Sequence, residues 1–130
     1  MKILVGYDGS NSAKRALETA LQHARAFGAT VDVVTSMEKG SENEQNAIAE
    51  AERALEWAKS LFAEKGIPCT THLLIRGLSP GEDLVEFARE HGSDEILVGI
   101  ERRSKVSKIL LGSTAQFVIL NAPCPVVTVK

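Results

Sequence analysis

Along the chain, short apolar runs alternate with longer stretches in which apolar residues recur every three or four positions. The run KILVGY at 2–7 is bounded by Asp8-Gly9-Ser10 and predicts a buried parallel strand. One of Ser10, Asn11 or Ser12 is expected to cap the following helix. That helix places Ala13, Ala16, Leu17, Ala20, Leu21, Ala24 and Phe27 on one face and stops at Gly28. TVDVVT at 30–35 is rich in β-branched residues and predicts the second strand. After a loop at 36–40, Ser41 with Glu44 has the form of a capping box. It opens a long helix to about residue 65, with Ile48, Ala51, Leu55, Ala58 and Phe62 as its buried stripe.

PCTTHLLI at 68–75 is the third strand, and its early proline suits a sheet edge. Ser79-Pro80-Gly81-Glu82 combines a second capping box with proline at the first helical position. The helix it opens buries Leu84, Val85 and Ala88, ends near His91 and stops at Gly92. The fourth strand is 95–98, the last helix spans about 113–120 and Pro123 prevents its continuation. Val126–Val129 is the fifth strand. The βαβαβαβαβ order with short connections predicts an α/β fold, a doubly wound five-stranded parallel sheet with helices on both faces. No linker or repeat divides it, so residues 1–130 read as one domain.

Composition narrows the function classes. A formal net charge of -2 argues against general nucleic-acid binding or attachment to a membrane surface. No apolar run approaches membrane length, and the N-terminus lacks a basic region followed by a long apolar core. The expected location is cytoplasmic. Cys69 and Cys124 stand in no metal or redox spacing and read as reduced thiols in the core. His23, His72 and His91 have no metal-ligand spacing, so no metal site is expected. Neither a nucleophile elbow nor a Walker loop is present, and no residue stands out as catalytic. Trp57 lies off the apolar stripe of its helix, which suggests partial burial against a neighbour.

The chemistry concentrates between residues 96 and 114. An apolar strand breaks at Gly99, a basic loop follows with Arg102, Arg103, Lys105 and Lys108, and Gly112-Ser113-Thr114 begins a helix. A helix N-terminus offers free N–H groups and the positive end of a dipole, which suits a phosphate. In doubly wound sheets a ligand lies at the carboxyl ends of the strands where strand order reverses. With order 3-2-1-4-5 that point falls between the strand leading to Asp8 and the strand leading to Gly99, so two separate signals meet at one crevice.

The spacing Gly99, two residues, Arg102, nine residues, Gly112-Ser113 resembles the nucleotide loop of the universal stress protein family, with Arg102 where the family has a second glycine. KILVGYDGS and SDEILVG resemble that family's first and fourth strands, and LLGSTAQFVILNAPCPVVTVK its last helix and strand, so the resemblance runs the length of the chain. It implies an adenine nucleotide alpha hydrolase-like, Rossmann-like or flavodoxin-like domain, a stress-response role, ATP as ligand and a homodimer formed through the last strand. Carried over by position, Asp8, with Gly9 and Ser10 beside it, faces the ribose and adenine. Main-chain groups near Val34 edge the base, and Gly99, Gly112, Ser113 and Thr114 hold the phosphates. Arg102, with Arg103 next to it, leaves alternatives open. Its bulk fills the triphosphate pocket, its guanidinium grips phosphate bidentately, or it points to solvent. Mg²⁺ is expected only with ATP. Two bland readings stand beside these: Asp8 capping a turn, and Gly112-Ser113 starting a helix without a ligand.

The alternative function is a slow ATP hydrolase or phosphotransferase using the same crevice. A phosphoacceptor receiver domain of this topology is excluded, because Asp8 has no neighbouring carboxylates and Ile75 is followed by Arg76-Gly77 instead of an aspartate.

Overall fold

The computed structural model describes residues 1–38, 44–101 and 111–130. Nine elements follow in the expected order: β1 (Lys2–Gly6), α1 (Asn11–Phe27), β2 (Thr30–Ser36), α2 (Glu44–Glu64), β3 (Cys69–Leu74), α3 (Pro80–His91), β4 (Glu95–Gly99), α4 (Ser113–Asn121) and β5 (Val126–Val129). All strand pairings are parallel and the sheet order is β3-β2-β1-β4-β5. Val5 registers with Val33 on one side and Leu97 on the other, and Leu97 with Val127.

Strand side chains alternate between faces, and the core divides accordingly into two clusters. Ile3, Val5, Val31, Val33 and Leu97 pack under α1 and α2. Leu4, Val34, Ile96 and Val98 pack under α3 and α4. On the central strands Val5, Val33 and Leu97 are fully buried, while Leu73 and Val127 on the edge strands are partly buried. Among the described residues, no helix is long and apolar enough to cross a membrane.

Local signals at most helix ends are realised. Ser10 caps α1, its hydroxyl accepting from the Ala13 N–H at 3.2 Å. At α3, Ser79 and Glu82 form the reciprocal capping box. Gly28 and Gly92 end their helices in the left-handed conformation, φ 64° at each, which glycine adopts without the penalty a Cβ brings. Two expectations need correction. Phe27 is 60% exposed instead of closing the buried face of α1. It is the last helical residue, so no following turn covers it, and its ring lies edge-on to His23. The buried stripe of α2 begins at Leu55, with Ile48 and Ala51 only half-buried, because that end of the helix has less of the sheet beneath it. Ser41, the expected cap of α2, lies outside the described residues.

Candidate functional site

The carboxyl ends of β1 and β4 open onto a cleft of about 150 Å³. Its inner end is apolar, walled by Val34, Leu84, Val98 and Ala115, with Ala13 approaching from α1 and Ser36 from the end of β2. Gly6 belongs to the floor, where an added Cβ would come within 2.8 Å of the Leu84 side chain. Outward, the cleft continues into a polar mouth lined by Ser10, Ser12, Glu101, Gly112 and Ser113. Asp8, Gly99, Thr114 and Ala115 border both parts. A cleft therefore opens where the first and fourth strands end, with an apolar slot at one end and a helix N-terminus at the other.

Each expected residue has a definite place in it. Asp8 is exposed, and its Oδ1 accepts from the Ser10 N–H at 2.9 Å. That Asx-type contact shapes the turn in which Gly9 sits at φ 81°, and it leaves Oδ2 without a hydrogen-bond partner among the described residues. Ser10 is the α1 cap. The Val34 side chain is buried, and its carbonyl already accepts from Tyr7 N–H at 2.9 Å, which leaves that oxygen one lone pair.

Gly99 has a role the sequence did not disclose. A Cβ there would stand 2.5–2.6 Å from Ser12 and Ala13 atoms, backbone among them, so glycine is required for β4 to run against the start of α1. Gly112 differs. It caps α4 at φ -66°, with no side chain supplying a cap hydrogen bond, and an added Cβ meets no described atom within 4 Å. Among the described residues, neither backbone angle nor packing requires a glycine at that position. No described atom fills the space its missing side chain leaves at the start of α4, where a phosphate could approach backbone closely. Arg102 and Arg103 lie outside the described residues.

Several lining residues carry no sequence signal. Glu101 Oε1 accepts from the Ser12 hydroxyl at 3.0 Å, and the Ser10 and Ser12 hydroxyl oxygens are 3.3 Å apart, so a short polar chain crosses the mouth. Tyr7 lines the inner end and stacks on Trp57 at 6.4 Å between ring centroids. Trp57 is half-exposed with Lys14 Nζ 5.6 Å from its ring centre, in line with partial burial against a neighbour. Burial, then the nearby Asp8 charge, raises the Tyr7 pKa, which keeps the phenol protonated. Behind Ser36, Asp83 and Arg76 form an ion pair at 2.8 Å. Asp83 follows a capping box and reads in sequence as an ordinary acid of a first helical turn; its partner comes from a different element.

Comparison with known proteins agrees with this geometry. A sequence model of the Universal stress protein family matches residues 1–130. A Thermus aquaticus protein described as the universal stress protein in QAH/OAS sulfhydrylase 3'region is 36% identical, over 98% of this chain and 97% of that one. A solved universal stress protein from Archaeoglobus fulgidus is 38% identical with a TM-score of 0.88, covering 100% of this chain and 93% of that one. A structure of the universal stress protein from Archaeoglobus fulgidus in complex with dAMP is 37% identical with a TM-score of 0.84, covering 100% and 98%. With the matched fold and a family match over residues 1–130, the chain belongs to the universal stress protein family.

Proposed function

We propose that this chain is a nucleotide-binding stress-response protein that holds an adenine nucleotide in the cleft between β1 and β4. The observation that carries the reading is the open space at Gly112. Among the described residues, a glycine stands at a helix N-terminus where neither φ nor packing requires one, at the outer end of a slot whose inner walls are apolar. A flat base fits the slot beside Val34, Leu84 and Val98. A phosphate fits before α4, where Ser113 and Thr114 add hydroxyl donors to free N–H groups. Asp8, at the junction of the two parts, is placed to accept from a ribose hydroxyl. The dAMP complex of a 37% identical relative supports the same class of ligand.

Binding is favoured over turnover. The two carboxylates in the described lining, Asp8 and Glu101, each already have one oxygen engaged by a hydrogen bond from the protein, and neither has a described partner that would orient it as a general base. Mg²⁺ would accompany a triphosphate, and Asp8 and Glu101 are the described carboxylates of the mouth that could hold it.

How many phosphates the mouth takes turns on Arg102. Titration calorimetry of wild type and Arg102→Gly with ATP and Mg²⁺ tests both points. Arg102→Gly is expected to strengthen ATP binding, because it removes bulk where the family keeps glycine. Weakening by about 1.5–3 kcal/mol would instead assign the guanidinium to a phosphate contact. Asp8→Ala and Ser113→Ala are expected to weaken binding in either case. Failure of both proteins to bind at millimolar nucleotide, with no nucleotide released from freshly purified protein on denaturation, would overturn the reading.

A further inference from the structure

Asp83 is the most deeply buried charged residue described, with no solvent exposure. It joins three elements. Its Oδ1 accepts from Arg76 Nε, just beyond β3, at 2.8 Å. Its Oδ2 accepts from the hydroxyl of Ser36, the last residue of β2. Asp83 itself stands in the first turn of α3. A carboxylate is tolerated in a dry interior only when paired and hydrogen-bonded, and here both oxygens are engaged. The same hydrogen bond is the main reason the Arg76 pKa is raised.

Ser36 is thereby restricted. A hydroxyl has one proton and two lone pairs. A carboxylate facing a guanidinium is an acceptor at both oxygens, so the Ser36 proton is committed to Asp83. Ser36 also lines the cleft, on the sheet face that carries Val34 and at the end away from Gly112. It therefore offers the cleft lone pairs and no proton. Of the other polar side chains lining the inner cleft, Asp8 and Thr114 belong to the shared mouth, and Tyr7 packs in the cluster under α1 and α2.

We propose that Ser36, oriented by Asp83, is a base-specificity residue that selects a base carrying an exocyclic amine over one carrying a carbonyl at the same position. The inference rests on the nucleotide reading above and deepens it. An amine donates to the waiting lone pair. A carbonyl brings a second acceptor against it at the apolar end of the cleft, where the two oxygens face each other unpaired. Adenine is favoured over hypoxanthine and guanine for this reason. Ser36 is the contact, and Asp83 is a positioning residue that acts through it.

AMP and IMP test this, since they exchange the amine for a carbonyl on one purine frame. Calorimetry of wild type should show AMP bound roughly tenfold more tightly, the worth of one such hydrogen bond and its repulsive counterpart. Ser36→Ala should bring the AMP/IMP ratio close to one, and Ser36→Thr, which keeps the hydroxyl, should restore the preference. Asp83→Asn offers an amide N–H to Ser36, frees the hydroxyl proton to face the cleft, and should narrow or reverse the ratio. A purely structural role would alter both affinities together and leave their ratio unchanged. Should Asp83→Asn fail to fold by circular dichroism, the Ser36 pair alone decides. Equal wild-type affinities, or a ratio unmoved in Ser36→Ala, overturn the inference and leave the nucleotide reading standing. Binding of neither nucleotide removes that reading and this inference with it.

Discussion

Gly99 and Gly112 look alike in the sequence, since both match glycines of one loop pattern, yet they do different things. Gly99 sits against the backbone of α1, so Gly99→Ala forces strand and helix apart and should cost about 1–3 kcal/mol of stability, as overpacking does. Gly112→Ala meets no described atom and should cost at most about 1 kcal/mol as a change of cap residue, while weakening nucleotide binding. Urea melts and nucleotide titrations of the two variants would separate the roles; equal destabilisation would contradict the assignment. Cys69 gives a second prediction at this scale. Burial, with Asp32 second, pushes its pKa up to about 11, from an ordinary thiol value of 9.0. The folded state therefore holds the thiol proton more tightly than the unfolded chain does. The resulting stabilisation is fully present below about pH 9. It is lost as pH rises from there towards 11. Alkylation of Cys69 in native protein should be slow at pH 8 and accelerate as pH approaches 11. Rapid modification at pH 8 would show that the thiol is not held in this environment.

α3 is the element whose sequence and structure agree most fully, and the reason is local chemistry. Its cap, proline, box glutamate and terminal glycine all act within a few residues of one another, so their spacing can be read directly. Ser79→Ala removes the oxygen that accepts from Glu82 N–H and should lower stability by about 1 kcal/mol, measured as a shift in the urea midpoint with an unchanged slope. What the sequence did not disclose depends on contacts between elements. Ser36 and Asp83 are separated by 47 residues, and nothing in either neighbourhood announces the other. Phe27 fits the helical period and still lies outside the core, because periodicity assigns a face without saying where the covering layer ends. The same division holds in the cleft. That Asp8, Gly99 and Gly112-Ser113 border one cleft could be anticipated from the strand ends and loop spacing, whereas the reason for Gly99 and the contacts of Ser36 and Glu101 emerge only from packing.

The topology was legible as a whole because five strands alternating with helices leave few arrangements once crossovers are right-handed. β5 closes the sheet at one edge. Its Pro125 and Val129 carbonyls face β4, accepting from Ile96 and Ile100, so the groups of Val126 and Thr128 point outward. Nearby, α4 leaves Phe117, Ile119 and Leu120 exposed, the last at 81%. An open edge beside apolar side chains is a template for a second chain, and a two-fold homodimer pairing Val126–Val129 with its copy is expected. Thr128→Pro removes an outward N–H without touching the β4 ladder and should shift sedimentation from dimer to monomer. Wild type that sediments as a monomer at micromolar concentration would rule the dimer out. The two core clusters lie on opposite faces of the sheet, and the cleft touches both, through Tyr7 and Ala13 on one side and Val34, Leu84 and Ala115 on the other. A bound nucleotide would thus be the one component in simultaneous contact with both layers beyond the strand ends, and its binding energy would oppose their separate local opening. Amide hydrogen exchange should then slow together at the first turns of α1 and α4, which pack on opposite faces of the sheet, so that saturating ligand makes two partly independent layers open as one cooperative unit.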